Sequence, residues 1–383
     1  MLTRKVFLQY MAASAGSFAM ASAGRAAEAP GASPFPPMLE ARVPFAPTAF
    51  PSVGGAYVVY ELYLTNFSAI PITIRRIEVI DADGAASQPV AAFEGDQLAA
   101  IFQPAAGPAP KEAPTQLGAG AMSAVFLWLR FENMQSVPGR LRHKVVTDDK
   151  AIEGTLIGTR NIKLPVLTSP LRGPGWKASD GPSNDRSNHH RRGIFPIDGQ
   201  MVISRRFATD WFLYKDGKSR LGDAHDPHAY YAYEQPVFAV ADATVVAARG
   251  GQPDNIPGPV ESFHTTLPNT MDTVSGNHIV LDLGGGRYAW YMHFLPGSVR
   301  VKAGDRVRRG QPLAQIGCSG DSNLPHLHFE VTTSPKLMAG EGLPYLIDQY
   351  RVWTADNVWQ PRRRELPLDR MLVDFGQAGA VVR

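Results

Sequence analysis

Cysteine is almost absent from this chain of 383 residues: Cys318 is the only one, so no intramolecular disulfide can form and no thiolate-rich zinc site can be built. Any metal held here must be held by imidazoles and carboxylates. Charge is scarce as well. Charged residues are 19% of the chain, and the 38 basic and 35 acidic side chains nearly cancel to +3, which leaves no one-sided field of the kind that marks nucleic acid as the main partner. The 36 glycines and 32 prolines punctuate the sequence too often for a coiled coil or a large helical bundle. After the first 29 residues no apolar run is long enough to span a bilayer. What is present is core material: 44% of residues are hydrophobic, and the length allows two or three domains.

Residues 1–29 read as an export signal. Arg4 and Lys5 precede a run of apolar and small residues from Val6 to Ala23, and Ala21-Ser22-Ala23 supplies the small-x-small cleavage pattern. Ser14, Gly16, Ser17 and Ser22 dilute the run below what a membrane anchor needs. The stretch Thr3-Arg4-Lys5-Val6-Phe7-Leu8-Gln9 is similar to a twin-arginine signal, with Lys5 replacing the second arginine. The mature protein is therefore expected in the periplasm or outside the cell, with no transmembrane segment once the signal is removed.

The mature chain is expected to be mainly β. Tyr57 to Leu64, Ile70 to Ile80, Ala124 to Phe131 and Arg142 to Thr147 are rich in strand formers, which predicts an N-terminal β-sandwich over about 40–168. No cluster of ligand-type residues lies in it, so it reads as a spacer. Residues 169–188 mix Gly, Pro, Ser and charge as a linker does. A second, nearly all-β domain is expected over 189–350, with strands at Pro236 to Ala247, Asn277 to Leu283 and Tyr288 to Met292. Gly284-Gly285-Gly286 links the last two as a hairpin turn; with a strand rather than a helix after it, it is no phosphate cradle. Residues 351–383, including Arg362-Arg363-Arg364, read as an extended tail with a solvated charge run.

Histidine is concentrated in the second domain: of ten, only His143 lies before residue 189. In His326-Leu327-His328 the two imidazoles would share one face of a strand, because residues two apart point the same way. The same alternation predicts Tyr291 and His293 on one face of the preceding hairpin strand.

The run Gly317-Cys318-Ser319-Gly320-Asp321-Ser322-Asn323-Leu324-Pro325-His326-Leu327-His328-Phe329-Glu330 resembles the glycine-serine loop and His-x-His strand of the LytM and lysostaphin-type zinc endopeptidases, family 23 of the metallopeptidases. Three further blocks agree in order and spacing: Pro236 to Val246, Gly276 to Asp282 running into Tyr291-Met292-His293-Phe294, and Val301 to Gln311. The resemblance covers roughly residues 196–335. It implies a LytM-like antiparallel β-sheet peptidase domain, zinc as cofactor, and peptidoglycan cross-links or another peptide as substrate. It also implies Asp210 and His328 as zinc ligands, His326 as the group that orients and deprotonates the attacking water, and His293 as the group that stabilises the tetrahedral oxyanion.

One position departs from the family. Where a ligand His is expected, four residues before Asp210, stands Arg206, and a guanidinium offers no lone pair. Two accounts follow. Another imidazole completes the site, with His190 favoured and His189, His225 and His228 as alternatives. Otherwise Arg206, pairing with Asp210 along a strand, fills the metal position of a degenerate domain that binds peptidoglycan or activates a partner cell-wall hydrolase. Cys318 has no assigned base and reads as a small buried residue.

Overall fold

The computed structural model describes residues 37–376, apart from 85–87, 106, 108–110, 149 and 161; the export-signal segment 1–29 and the last seven residues lie outside the described set. The first part of the chain forms two five-stranded antiparallel sheets. The first centres on β1 (Gly55–Asn66), and the second on β2 (Ile72–Asp81); β3 (Met122–Phe131) pairs with β1, and β4 (Arg140–Thr147) pairs with β2. Val58, Tyr60, Leu62 and Leu64 of β1 meet Ile74, Ile77, Val125, Leu127, Leu141 and Val145 in one apolar cluster between the sheets.

The alternate residues of β1 are buried too. Tyr57 and Val59, with nearby Phe50, join the core of the second sheet system beside Leu171, Trp176 and Phe207, and Tyr63 packs with Phe126 and Ile203. A strand covered on both faces needs apolar residues at every step rather than alternation, which is why Tyr-Val-Val-Tyr-Glu-Leu-Tyr-Leu carries one charge in eight residues. That charge is Glu61.

The main sheet of the second part of the chain has ten strands. In chain order they are β5 (Pro174–Ser179), β6 (Thr209–Leu213), β7 (Ala243–Arg249), β8 (Asn277–Asp282), β9 (Tyr288–Phe294), β10 (Arg306–Val307), β11 (Leu327–Thr332), β12 (Tyr350–Trp353), β13 (Trp359–Arg362) and β14 (Leu372–Asp374). Across the sheet they run β10-β7-β8-β9-β11-β6-β5-β14-β12-β13, and every pairing is antiparallel. One face carries Trp211, Leu213, Tyr291, Leu327, Phe329 and Val331 into the main core. Among the described residues no helix is long and apolar enough to cross a membrane.

The expected linker and tail are corrected by this sheet. Residues 174–179 are not a linker: Trp176 and Ala178 are buried, and β5 lies between β6 and β14. The alternation of Trp176 with Ala178 spans too few residues to stand out among the flanking Gly, Pro and Ser. Residues 350–374 are likewise no loose tail, since they supply three strands. From Pro37 onward the chain clusters as one unit, so His189 is not a boundary in the core.

The consequence can be measured. Native protein treated with a limiting amount of protease should resist cleavage within Pro174–Ser179. A fragment starting at His189 should give no cooperative thermal transition, because it lacks the strand hydrogen-bonded to β6. A cooperatively melting 189–376 fragment would contradict this account of the core.

Candidate metal centre

Two adjacent strands and one turn bring the imidazoles to a single carboxylate. On β6, Trp211 and Leu213 enter the core, so Asp210 and Phe212 face the opposite side. β11 lies against β6 with Asp210 directly opposite His328. Leu327 and Phe329 enter the core from β11, leaving His328 and Glu330 on the site face. His326, at the entry to the strand, lies on that face too, as the His-x-His alternation predicts.

His293 reaches the same cavity by a different route from the one expected. Tyr291 points into the core, where it packs on Phe329 and its hydroxyl accepts the Val240 N–H at 3.0 Å. Strict alternation would send His293 after it. Instead His293 has φ of 69°, a left-handed conformation that costs a non-glycine residue ~1–3 kcal/mol and persists only where its surroundings hold it. Its N–H donates to Ser275, its carbonyl accepts from Gly317, and its Nδ1–H donates to the Ser319 carbonyl at 2.8 Å. The glycine-serine loop comes this close because Gly276 and Gly320 lack side chains: a Cβ on either would lie 2.4 Å from backbone of the other segment. The expectation that Tyr291 and His293 share a face is therefore overturned.

The fourth imidazole comes from the four-residue helix His189–Arg192, capped by the Asn188 side chain, which accepts from Arg191 N–H. His190 is buried. Its Nδ1 donates to the Asp180 carbonyl at 2.9 Å, which turns Nε2 toward Asp210 Oδ2 at 3.6 Å. On the other carboxylate oxygen, His328 Nδ1 donates at 2.9 Å and His326 Nε2 stands at 3.5 Å. His326 Nδ1 is occupied by the Leu324 carbonyl at 2.7 Å. The cavity has a volume of about 430 Å³.

Burial raises the Asp210 carboxyl, but His190 and His326 outweigh it and hold the group well below the usual carboxylate range. Burial pushes His190 and His293 well below the usual imidazole range, against the pull of the Asp210 carboxylate. For His328, burial is outweighed by its hydrogen bond to Asp210 and by the nearby Glu330 carboxylate, and its pKa is raised to about 9.

The donors suit a zinc ion. Asp210 is ionised, and His190 presents a bare Nε2 whose tautomer is set by a carbonyl on the other nitrogen, the arrangement usual for ligating histidines. His328 Nε2 and Glu330 Oε2 are both buried without a hydrogen-bond partner and stand 3.8 Å apart, which suits Glu330 as the outer carboxylate on Nε2–H. Nδ1, the nitrogen beside Asp210, would be the ligand atom once it gives up its proton. His190, Asp210 and His328 would hold the metal. His189 also brings a nitrogen within 4.8 Å of the His190 and Asp210 ligand atoms, but it is 54% exposed and leans on the Asp180 carboxylate at 3.4 Å, which puts it at the rim. His225 and His228 are exposed and do not line the cavity.

Arg206 does not enter the cavity or touch Asp210. It lies on a 3-10 turn, Ser204–Phe207, rather than on a strand. Its guanidinium is buried between Glu61 at 2.7 Å and Glu341 at 2.7 Å and also donates to the Gly342 carbonyl. Arg191, next to His190, bonds the same Glu61 carboxylate and the Tyr60 carbonyl. A carboxylate of β1 thus grips both segments that carry candidate ligands. Burial raises Glu61, but Arg191 and Arg206 bring it down to about 2.

Sequence reading passed over three participants. Glu330 carried a signal, being two residues beyond His328 on the same strand face. Asp180 and Glu61 carried none, since their roles depend on partners distant in the chain. Cys318 is buried, donates to the Ser322 carbonyl at 3.3 Å, and is pushed by burial to about 12, so it is no nucleophile at neutral pH.

Residues 228–339 match the sequence model of peptidase family M23. Glycyl-glycine endopeptidase ALE-1 of Staphylococcus capitis is 42% identical over 60 residues, 15% of this chain and 16% of that protein. Lysostaphin of Staphylococcus simulans is 36% identical over 74 residues, 18% of this chain and 15% of that protein. The matches thus span about a sixth of these relatives. The crystallised catalytic domain of S. simulans lysostaphin aligns at 22% identity and a TM-score of 0.24, covering 44% of this chain and 88% of that domain.

Glu61→Gln should destabilise the protein by ~3 kcal/mol or more, the usual cost of breaking a buried ion pair from one side. In wild type, the depressed Glu61 contributes stability that is fully present above the ordinary carboxyl value of 4.5 and is lost as pH falls toward about 2. Urea melts at pH 7 and pH 3 should therefore show a smaller loss on acidification for Glu61→Gln than for wild type. Equal losses would mean that Glu61 is not depressed.

Proposed function

The chain is a member of peptidase family M23 through residues 228–339, and on that premise we propose that it is an exported zinc metalloendopeptidase that cuts peptide cross-links of peptidoglycan. The observation that carries this reading is the convergence of His190, Asp210 and His328 on one buried point, with His293 and His326 beside it. A peptide bond as the target agrees with the name of one relative, glycyl-glycine endopeptidase ALE-1; peptidoglycan is taken from the family resemblance, and export from the N-terminal signal pattern.

Zinc supplies Lewis acidity, polarising the scissile carbonyl and making water a nucleophile near neutral pH. The chain's own groups do the remainder. His326, with Nδ1 tied to Leu324, offers Nε2 as the acceptor of the water's proton. His293, with Nδ1 tied to Ser319, likewise carries its lone pair on Nε2, so it can donate to a developing oxyanion only after taking up a proton. A charge on His326 disfavours a second on His293. The pair therefore holds one extra proton between them: the proton that His326 takes from the water would pass to His293, beside it, and from there to the oxyanion or the leaving amine. Asp180 and Glu330 orient the ligand imidazoles from outside.

The non-catalytic alternative required Arg206 in the metal position, and its guanidinium is committed to Glu61 and Glu341 instead. Purified protein should hold close to one zinc per chain by atomic emission. Competition with a chromophoric chelator should show zinc affinity falling at least about 100-fold in His190→Ala and Asp210→Ala, since water replaces a protein ligand poorly. His225→Ala and His228→Ala should bind as wild type does. Zinc-free wild type that leaves cell-wall turbidity unchanged after zinc is added would sink the enzyme reading. Normal affinity in His190→Ala would exclude that residue as a ligand.

A further inference from the structure

Arg205 and Arg206 are neighbours with opposite fates. Arg206 is buried between two carboxylates, whereas Arg205 lines the cavity beside His189, His190 and Asp180. Among the described residues no carboxylate lies within 4.0 Å of Arg205, its guanidinium makes no hydrogen bond, and its Nε is buried without a partner. Of the acids that share the cavity wall, Asp180 leans on His189, Asp210 takes the imidazoles and Glu330 faces His328, while the exposed Asp321 makes no ion pair with Arg205. The side chain is nevertheless held in place. It stacks over the Phe195 ring at 5.2 Å, and its Nη2 passes where a Cβ on Gly193 would be 3.3 Å away.

We infer that Arg205 anchors the substrate by pairing with a carboxylate, so that the preferred peptides carry a free carboxylate close to the bond that is cut. This rests on the peptidase reading above and names the substrate class for that site. A guanidinium cannot relieve its burial by losing a proton, and an unpaired N–H in a partly closed cavity costs free energy until a partner arrives. The planar fork matches a carboxylate in two parallel hydrogen bonds, which a peptide carbonyl cannot offer. The carboxylate could be the peptide's own C-terminus or an acidic side chain. Both present the same chemistry to Arg205.

Two pairs of short fluorescent peptides separate these sources, one pair differing in a free against an amidated C-terminus and the other in Glu against Gln beside the scissile bond. Zinc-loaded full-length wild type, Arg205→Lys and Arg205→Gln would each be assayed. In wild type the carboxylate member of one pair should have a KM lower by about 10- to 100-fold, the range expected for a charge-assisted pair. Arg205→Gln should erase that preference with a smaller change in kcat, and Arg205→Lys should restore part of it. Thermal melts of the variants should match wild type, since Arg205 makes no internal ion pair. Equal KM within both pairs, or a preference that survives Arg205→Gln, would overturn the inference.

Fluorescence anisotropy with the metal-free protein reads binding without turnover. Carboxylate-dependent binding that vanishes in Arg205→Gln, alongside no hydrolysis of any peptide by the zinc-loaded wild type, would overturn the peptidase reading and uphold the anchor. Hydrolysis without carboxylate dependence would do the reverse.

Discussion

Two arginines buried within a few residues of candidate metal ligands would be ruinous without a counter-charge, and a single carboxylate from a distant strand, Glu61 on β1, meets both of them. Removing an ion from water costs several kcal/mol, regained only when geometry is good and the remaining hydrogen-bonding groups are satisfied. Here they largely are: Glu341, Gly342 and Tyr60 take up other N–H groups of the two guanidiniums. Arg191 follows His190 directly, and Arg206 leads into the strand that bears Asp210. The position of the ligands is thus tied to a strand whose opposite face belongs to another core.

That coupling changes what the first part of the chain is for. Read alone, residues 40–168 contain no ligand-type cluster, and a spacer is the economical reading. In the fold, β1 is buried on both sides and shares its outer residues with the core under the ten-stranded sheet. The M23 match begins at residue 228, so it includes His293, His326 and His328 but neither Asp210 nor His190. The part of the site closest to the family pattern is held by β9, β11 and the glycine-serine loop. The rest lies on segments outside the matched residues.

The substitution at Arg206 becomes intelligible in the same terms. A guanidinium cannot stand in for a ligand imidazole, but it can turn away to a pair of acids and leave the cavity to another group. His190 is in place to be that group because the Asp180 carbonyl fixes its tautomer and aims Nε2 at Asp210. Exchange of a ligand without loss of a metal site would require both halves of this arrangement.

The sequence by itself determined the features that depend on near neighbours. The strand runs of β1, β2 and β3 follow from their density of β-branched and aromatic residues, and the shared face of His326 and His328 from the two-residue period of a strand. It also marked His190 and Asp210 as candidates and Arg206 as the anomaly. Only the tertiary structure decided that Arg206 pairs with Glu61, 145 residues away, rather than with Asp210 four residues on. It alone turned His293 to the site against the alternation of its strand, because no residue type announces a left-handed histidine and the restraint comes from Ser275, Gly317 and Ser319. It also made a strand of Pro174–Ser179, whose short alternation means little until β6 and β14 lie on either side. Periodicity is a local property of the chain, whereas the choice of partner for a buried charge, or the sign of one backbone angle, is settled by groups that folding brings together.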